Sequence, residues 1–324
     1  MTDNSLNAAV FGLGSMGYGM ASSLLAAGHQ VRGFDISGDR MAQFVAEGGM
    51  AGSREDTAPL LDCAVIVVLN EAQTEDVLFG DNGIVAQMKS GAVVISCATI
   101  TPDAARRNAA RCAETGVHYL DAPISGGSIK AASGALSIMA SGTPVAFDAA
   151  QPALDALSET VFRLGDEAGA GSAMKSVNQL LAGVHIAVMG EAVAFGLTQG
   201  VAPEQLLSVI SKCAGTSWML ENRLPHIVEA DYSPHSAINI WLKDLGIVAD
   251  ISKETSFTPH LALAALERYR VAAEQGLGHE DDAAIVKPYA KEAGITLPLK
   301  IVNDIVGHVR GVSDAFITGK KSNI

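Results

Sequence analysis

The strongest constraint on the fold is a glycine-rich segment that joins a strand-like run to a helix-like run near the start of the chain. It reads Gly12-Leu13-Gly14-Ser15-Met16-Gly17, the pattern G-x-G-x-x-G. The first glycine permits a tight turn, the second lets the backbone approach a pyrophosphate, and the third lets the helix pack on the strand. The free N–H groups at the start of the helix would face the phosphates. We therefore predict that these six residues bind a dinucleotide.

The first half of the chain continues with short apolar runs separated by helix-like stretches. Runs that are apolar throughout suit a parallel sheet covered on both faces, and their alternation with helices predicts a doubly wound α/β fold. Strands are predicted at 8–13, 30–35, 64–69, 92–97, 118–121, 135–141 and 160–164, and helices at 16–27, 38–47 and 102–115. Leu69 and Asn70 would end a strand at the carboxyl edge of the sheet, where such folds bind ligands.

The alternation stops near 165–171, and almost only helical patterns follow, to about residue 312. The sequence thus predicts a Rossmann domain at 1–166 and an all-α domain for substrate and oligomerisation at 167–324. A long interdomain helix would join them. The apolar character of the second half also suggests a face buried between subunits.

An acidic residue at the end of the second predicted strand bears on the choice of cofactor. Asp35 lies 18 residues after Gly17. A carboxylate in this position accepts hydrogen bonds from a ribose 2′-hydroxyl and repels a 2′-phosphate. The sequence therefore predicts NAD rather than NADP, with only Arg32 and Arg40 near enough to offset the charge.

Lys175 opens a long, mostly apolar run at 176–198. Lys175, Asn178 and Gln179 stand at positions i, i+3 and i+4 and share one helix face, where they could bind a hydroxyl and a carboxylate. A solvated polar stripe is the commoner fate of such residues, but the apolar stretch 180–184 favours burial. Burial would lower the lysine pKa toward roughly 7–8, as general acid–base catalysis requires.

Composition excludes several classes of protein. A formal charge of −13 argues against nucleic acid and against an anionic membrane surface. No uninterrupted apolar run approaches the roughly 20 residues that span a bilayer, and no secretory signal is visible, which predicts a cytoplasmic protein. The four cysteines have no metal-ligand spacing and are expected to be reduced, and no metal site is predicted.

Four ordered motifs resemble the β-hydroxyacid dehydrogenases, relatives of 6-phosphogluconate and 3-hydroxyisobutyrate dehydrogenases, over almost the whole chain. The motifs are Gly12 to Gly17, Asp121-Ala122-Pro123-Ile124-Ser125-Gly126-Gly127, Gly169-Ala170-Gly171-Ser172-Ala173-Met174-Lys175-Ser176-Val177-Asn178-Gln179 and Lys243-Asp244-Leu245.

The resemblance implies a role for each matching residue. It implies that Lys175 is the catalytic residue and that Ser125, Gly126 and Gly127 hold the substrate carboxylate, for which backbone N–H groups in a glycine-rich turn are suited. It also places Thr99 near the nicotinamide ribose and Lys243 near nicotinamide and substrate, and it implies a homodimer or homotetramer. The chain departs from many relatives at Gln179, where they carry asparagine, and at Ala98, where they carry serine.

Within this family, the stretches 175–184, 214–223 and 243–250 look most like the branch that oxidises L-threonate, a four-carbon sugar acid, at its 2-hydroxyl. Tartronate semialdehyde reduction and 3-hydroxyisobutyrate oxidation are the alternatives. A non-catalytic NAD-binding sensor or scaffold, and an imine reductase, are disfavoured by Lys175.

Three further features lie outside the four motifs. Trp218 could close a substrate pocket or fill a helical core. His185 is expected to be packed rather than catalytic. The acidic run at 280–282 is expected to be a helix-start cap or a solvated loop rather than a metal site.

Overall fold

The computed structural model describes residues 5–299, and it begins with a five-stranded parallel sheet. The order of its strands is β2-β1-β3-β4-β5, so the sheet is doubly wound about β1 and β3. The central strands are fully buried because helices cover both faces. The strands are β1 (Asn7–Phe11), β2 (Gln30–Phe34), β3 (Cys63–Ile66), β4 (Val93–Ser96) and β5 (His118–Asp121).

The helices between these strands begin at residues that suit helix starts. Thr101 accepts a hydrogen bond from the backbone N–H of Ala104, and Pro102 occupies the first helical position, as the sequence predicts. The helices are α1 (Gly17–Ala26), α2 (Gly38–Ala46), α3 (Arg54–Thr57), α4 (Glu71–Phe79) and α5 (Pro102–Ala113). Short 3₁₀ turns follow at Ala58–Leu60 and Val85–Gln87.

A small second sheet follows β5 and completes the α/β part. Its order is β6-β7-β8, with β6 antiparallel and β8 parallel to β7. Its elements are β6 (Ile124–Ser125), α6 (Gly127–Ala132), β7 (Leu136–Ala140), α7 (Pro144–Leu157) and β8 (Ser158–Arg163).

The rest of the described chain is helical and packs around one long helix. That helix contacts β5, β7 and α5 near its start and the later helices along its length, so it joins the two parts of the molecule. The helices are α8 (Ala170–Thr198), α9 (Pro203–Ile210), α10 (Trp218–Val228), α11 (Ile238–Glu254), α12 (His260–Ala272) and α13 (Val286–Ala293). A π turn at Ala273–Leu277 and a 3₁₀ turn at Asp282–Ile285 lie between the last two helices.

The fold agrees with the predicted class, an α/β Rossmann region followed by an all-α region, and two strand ends differ. The first strand stops at Phe11 because Gly12 turns the chain with a φ of +96°. The third stops at Ile66, so Leu69 and Asn70 lie in the turn after the strand. The helical patterns beyond residue 299 lie outside the described residues.

Helix α8 corrects one expectation. By length and composition it is the one helix among residues 5–299 that could cross a bilayer, although none was expected. Half of its most apolar window is buried inside the protein, which is the arrangement of a central core helix.

Candidate active site

The glycine-rich turn after β1 forms a cradle open on one side. A Cβ atom at Gly12 would lie 2.4 Å from the carbonyl oxygen of Val67, and one at Gly17 would lie 1.8 Å from that of Gly12. At Gly14 no atom lies within 4 Å of the Cβ position, and both Gly14 and Ser15 are exposed. The outer glycines are therefore required by the fold, while Gly14 leaves free space in front of the helix. This geometry fits a dinucleotide pyrophosphate.

Asp35 lies just beyond β2 and is tied to this turn. Its Oδ2 accepts a hydrogen bond from the N–H of Leu13 at 2.6 Å, and its Oδ1 accepts one from the N–H of Ser37 at 2.8 Å. Each oxygen keeps a second lone pair that could accept a ribose hydroxyl. The turn and the carboxylate are thus fixed relative to each other. Leu13 is buried, whereas Met16 is half-buried at the start of α1.

Three more predicted cofactor residues lie in the turns that follow β3 and β4. The Asn70 side chain caps α4 by accepting from the N–H of Gln73 at 2.9 Å, and Leu69 is 54% exposed. Thr99 is half-buried in the turn after β4. Because β3 and β4 are parallel neighbours, these turns meet at the same edge of the sheet.

The predicted substrate loop begins in β6. Gly126 and Gly127 have φ angles of +134° and +77°, a region that favours glycine, and they start helix α6. Ser125 pairs with Ser137 of β7, which anchors the loop to the second sheet. Gly127 is exposed with open space at its Cβ position, so its N–H is accessible to an anion.

The start of α8 is held by Asp121, a buried carboxylate at the end of β5. Its Oδ2 accepts hydrogen bonds from the N–H groups of Gly169 at 2.9 Å and Ser172 at 2.8 Å, and its Oδ1 accepts one from the Ser172 hydroxyl at 2.6 Å. Burial raises the pKa of Asp121, although these hydrogen bonds oppose the shift. The carboxylate satisfies N–H groups that a helix start leaves unpaired.

Lys175 follows one turn later and is 9% exposed. Its Nζ donates a hydrogen bond of 2.9 Å to the carbonyl oxygen of Ile124, the residue before Ser125. Burial lowers the pKa of Lys175 to about 8, the charge of Asp244 opposes this, and the charge of Lys243 adds to it. The structure therefore brings the lysine to the predicted substrate loop with the pKa shift that was expected.

Helix α11 supplies a second group of polar residues. Lys243 Nζ lies 2.6 Å from Asp244 Oδ1. The other oxygen of Asp244 accepts a hydrogen bond from the amide nitrogen of Gln179, and the Gln179 oxygen accepts one from Asn178 Nδ2 at 2.9 Å. Four polar residues from α8 and α11 thus form one chain of contacts beside Lys175.

The other residues singled out from the sequence lie on α8, on α10 and in the turn before α13. Trp218 begins α10 and is 62% exposed, so it does not fill a helical core. His185 is half-buried on α8. Asp281 caps the turn at 282–285, as expected. Asp281 and Asp282 are both fully buried rather than solvated. Asp281 pairs with His226, and Asp282 pairs with Arg223.

Sequence reasoning gave no role to two of the acidic residues. Asp121 and Asp244 were noted only as members of motifs, yet each fixes part of the site. Their partners on α8 are 48 to 65 residues distant in the chain, so no local pattern could reveal the contacts. Within residues 5–299 no group of three or more His, Cys, Asp or Glu side chains is arranged to hold a metal ion.

A dinucleotide cradle and a buried lysine of lowered pKa define an NAD(P)-dependent dehydrogenase. Residues 7–165 match the family model of the NAD binding domain of 6-phosphogluconate dehydrogenase. Residues 169–289 match the model described as NAD-binding of NADP-dependent 3-hydroxyisobutyrate dehydrogenase. The chain belongs to the β-hydroxyacid dehydrogenase family, as its four motifs predict, and it is a hydroxy-acid dehydrogenase.

Individual relatives match over nearly their full length. An L-threonate dehydrogenase of Cupriavidus necator is 45% identical over 91% of this chain and 99% of its own. One of Escherichia coli K12 is 41% identical over 92% of this chain and 98% of its own. A solved structure, 3-hydroxyisobutyrate dehydrogenase from Salmonella typhimurium, is 43% identical with a TM-score of 0.82, covering 87% of this chain and 99% of that one.

Proposed function

We propose that this protein oxidises L-threonate at its 2-hydroxyl, with NAD as the hydride acceptor. The observation that carries the proposal is the buried Lys175, held by Ile124 beside the glycine-rich loop and with a pKa near the range of a general base. The L-threonate dehydrogenases at 41–45% identity support the choice of substrate within the family.

Each residue has a distinct task in the mechanism. When bound, NAD would be held by the cradle at residues 12–17 and by Asp35, and it would supply the hydride acceptor for the carbon that is oxidised. The N–H groups of the loop at Ser125, Gly126 and Gly127 bind the substrate carboxylate. Neutral Lys175 takes the proton from the hydroxyl as the C–H bond breaks, and the same residue returns a proton in reduction. Lys243 adds positive charge beside the carboxylate, and Asn178 contacts the substrate one helical turn from Lys175.

We propose NAD over NADP because of Asp35. Its carboxylate is held in place by the N–H groups of Leu13 and Ser37 and would meet a 2′-phosphate with like charge. Arg40, one of the two candidates to offset it, lies with its guanidinium carbon 5.7 Å from the Tyr18 ring centroid. In Asp35→Asn we expect the preference for NAD to fall at least tenfold, by about 1.4 kcal/mol. An unchanged ratio of kcat/KM for NAD and NADP would refute this assignment.

The substrate is tested with a panel of hydroxy acids and both dinucleotides, following absorbance of the reduced nicotinamide. The panel contains L-threonate, D-erythronate, D-glycerate, 3-hydroxyisobutyrate and tartrate. We expect kcat/KM for L-threonate with NAD to exceed every other combination. A preference for glycerate or 3-hydroxyisobutyrate would retain the mechanism and reject the substrate.

3-Hydroxyisobutyrate oxidation is the second candidate. It is supported by the solved structure of that name, which is as similar to this chain as the L-threonate dehydrogenases are. Both reactions use the same base and carboxylate loop, so only the comparison of substrates separates them.

A non-catalytic NAD-binding role is tested at Lys175. In Lys175→Ala we expect kcat to fall by a factor of about 10²–10⁴, while the dinucleotide still binds, because the base is lost and the cradle is not. Near-normal kcat in this variant would exclude Lys175 as the base. Dinucleotide binding by the wild type without turnover of any hydroxy acid would favour a sensor.

We also propose a nucleotide domain at 1–166, a helical domain at 167–324 and a cytoplasmic homodimer or homotetramer. The domain boundary is supported by the end of β8 at Arg163 and the start of α8 at Ala170. Oligomerisation is supported by an exposed apolar stripe with helical spacing on α8, which comprises Met174, Val177, Leu181, Val188 and Phe195. Light scattering should give a dimer or tetramer, and Val188→Lys should lower the measured mass.

A further inference from the structure

The side-chain amide of Gln179 is engaged at both ends within the protein. Its nitrogen donates to Asp244 Oδ2 on α11, and its oxygen accepts from Asn178 Nδ2 at 2.9 Å. Gln179 and Asp244 are 7% and 3% exposed. A buried amide with both ends satisfied has little to gain by turning toward a ligand.

The contact with Asp244 fixes the orientation of both amides. A carboxylate can only accept hydrogen bonds, so the Gln179 nitrogen must face Asp244 Oδ2, while Lys243 Nζ lies 2.6 Å from the other oxygen. The Gln179 oxygen then faces Asn178, which must offer its nitrogen. This leaves Asn178 Oδ1 directed away from Gln179, and among the hydrogen bonds of residues 5–299 none reaches that half-buried side-chain oxygen.

We propose that Gln179 is a positioning residue, which fixes the orientation of the Asn178 side chain, and that Asn178 recognises the substrate through its side-chain carbonyl oxygen. An oxygen can accept a hydrogen bond from a hydroxyl but repels a carboxylate. The pair therefore selects a hydroxy acid with a second hydroxyl besides the one that is oxidised. This inference rests on the proposed function and deepens it, because it assigns the recognition of a polyhydroxy acid to a named atom.

The energetic consequence is a penalty against substrates that lack the second hydroxyl. A site that hydrogen-bonds a substrate hydroxyl rejects the analogue without it, because its own polar group is then left unpaired. The carboxylate of the substrate is left to the N–H groups at 125–127. An Asn178 carbonyl held at one orientation discriminates better than a freely rotating amide, since no reorientation is needed on binding.

The test compares L-threonate with its two deoxy analogues, 2,4-dihydroxybutyrate and 2,3-dihydroxybutyrate. We expect wild-type kcat/KM to favour L-threonate over at least one of them by about 100-fold or more. Asn178→Ala and Gln179→Met should both reduce this preference at least tenfold, mainly by raising KM for L-threonate. Ser176→Ala is the matched control, because Ser176 is buried on the same helix and its hydroxyl bonds only to the carbonyl of Ser172.

Two outcomes of the kinetic test would overturn the inference. One is an undiminished preference in Gln179→Met. The other is a preference that survives Asn178→Ala but is lost in Gln179→Met, since Gln179 would then contact the substrate itself. A loss of kcat that is equal for all three substrates would point to general disruption and also reject the specific role.

A second readout needs neither substrate nor dinucleotide. A double-mutant cycle of Gln179→Met and Asp244→Asn, measured by unfolding of the ligand-free protein, should be non-additive, because the two side chains share one hydrogen bond. Additive changes would reject the linkage even if L-threonate is oxidised. Should the wild type oxidise no hydroxy acid, the proposed function fails, and the cycle still decides whether Gln179 is bound to Asp244.

Discussion

The Asp121 carboxylate accepts hydrogen bonds from both the backbone N–H and the hydroxyl of Ser172, and these bonds connect the end of β5 to the first turn of α8. This contact sets the position of Lys175, which lies three residues further along the same helix. The nucleotide-binding sheet and the proposed base are therefore connected by one buried side chain.

Removal of that side chain should lower both stability and activity. In Asp121→Ala two N–H groups and the hydroxyls of Ser172 and Ser141 lose an acceptor, so we expect a loss of about 1–3 kcal/mol in unfolding free energy. A displaced lysine should reduce kcat at least about tenfold. Thr143→Ala is the control, since its hydroxyl caps α7 by accepting from the N–H of Ala146. It should cost about 1 kcal/mol without changing kcat, and equal kinetic effects in the two variants would contradict the assigned role.

The pKa of Lys175 predicts the pH dependence of oxidation. The reaction needs the neutral amine, whose fraction rises tenfold per pH unit below the pKa. The rate should therefore rise with pH and level off above about pH 8. In Asp244→Asn the charge that raises the pKa of Lys175 is lost, so the midpoint should move to lower pH. A shift to higher pH, seen in pH profiles of kcat/KM, would reverse this assignment.

The buried charge of the same lysine should lower the unfolding free energy at neutral pH. Its folded-state pKa lies below the ordinary value of 10.5, so this destabilisation is complete below about pH 8 and decreases as pH rises toward 10.5. Lys175→Met should therefore be inactive and, at pH 7, more stable by about 1–3 kcal/mol. Denaturant unfolding at pH 7 and pH 10 measures this, and the advantage should shrink at the higher pH.

Substitutions at two glycines of the nucleotide cradle should affect stability and dinucleotide binding separately. The methyl group added in Gly14→Ala would lie in open space, so the melting temperature of this variant should be unchanged. The same methyl group should obstruct the pyrophosphate and weaken dinucleotide binding about tenfold or more. Gly12→Ala places a Cβ 2.4 Å from the Val67 carbonyl at a positive φ and should lower the melting temperature. Calorimetric titration with NAD, together with thermal melts, tests both, and a destabilised Gly14→Ala would show that this position serves the fold.

A buried ion pair far from the base should give a separate pH dependence of stability. The Asp281 hydrogen bond raises the pKa of His226, and burial opposes the rise. Burial is the largest single cause acting on the pKa of Asp281 and raises it, but the hydrogen bonds from His226, Ala283 and His235 and the charge of His226 together outweigh burial, so this pKa is lowered. The pair should therefore stabilise most between about pH 4 and 6.5, with loss as pH rises through the His226 pKa or falls through that of Asp281.

The measurement for this pair compares wild type with His226→Gln across pH 4–9. The difference in melting temperature should be largest near pH 5–6 and diminish as pH rises through the raised pKa of His226 and the imidazole loses its charge. His235→Gln is the control, because that ring lies 5.1 Å from the His226 ring and only the backbone N–H of His235 bonds to Asp281. A difference independent of pH would remove His226 from this role.

The sequence predicted the sheet well because its strands carry a local signal. Residues 118–121 were predicted and observed as a strand, and the other strand centres agree. Helices α3, α4, α6 and α7 and the short strand β6 were not predicted. Pro152 lies inside α7, which obscures its pattern, and that helix is held by packing of Phe147, Leu154 and Leu157 into the core.

The site was predictable only where spacing along one helix or turn defined it. Lys175, Asn178 and Gln179 share a helix, and the cradle is one continuous turn. The contact of Gln179 with Asp244 depends on how α11 packs against α8, and no periodicity encodes it. Sequence reasoning could therefore identify polar residues but not which of them bind one another.

The joint at Gly171 limits how the enzyme can respond to substrate. A Cβ there would lie 2.4 Å from the Met139 carbonyl oxygen and 2.7 Å from that of Asp121, so α8 abuts the main chain of two strands directly. A joint of backbone against backbone has no side chain that can change rotamer and little freedom to bend. Adjustment to the substrate is then expected outside this joint, for example in the glycine loop at 126–127, while the distance from sheet to lysine stays constant.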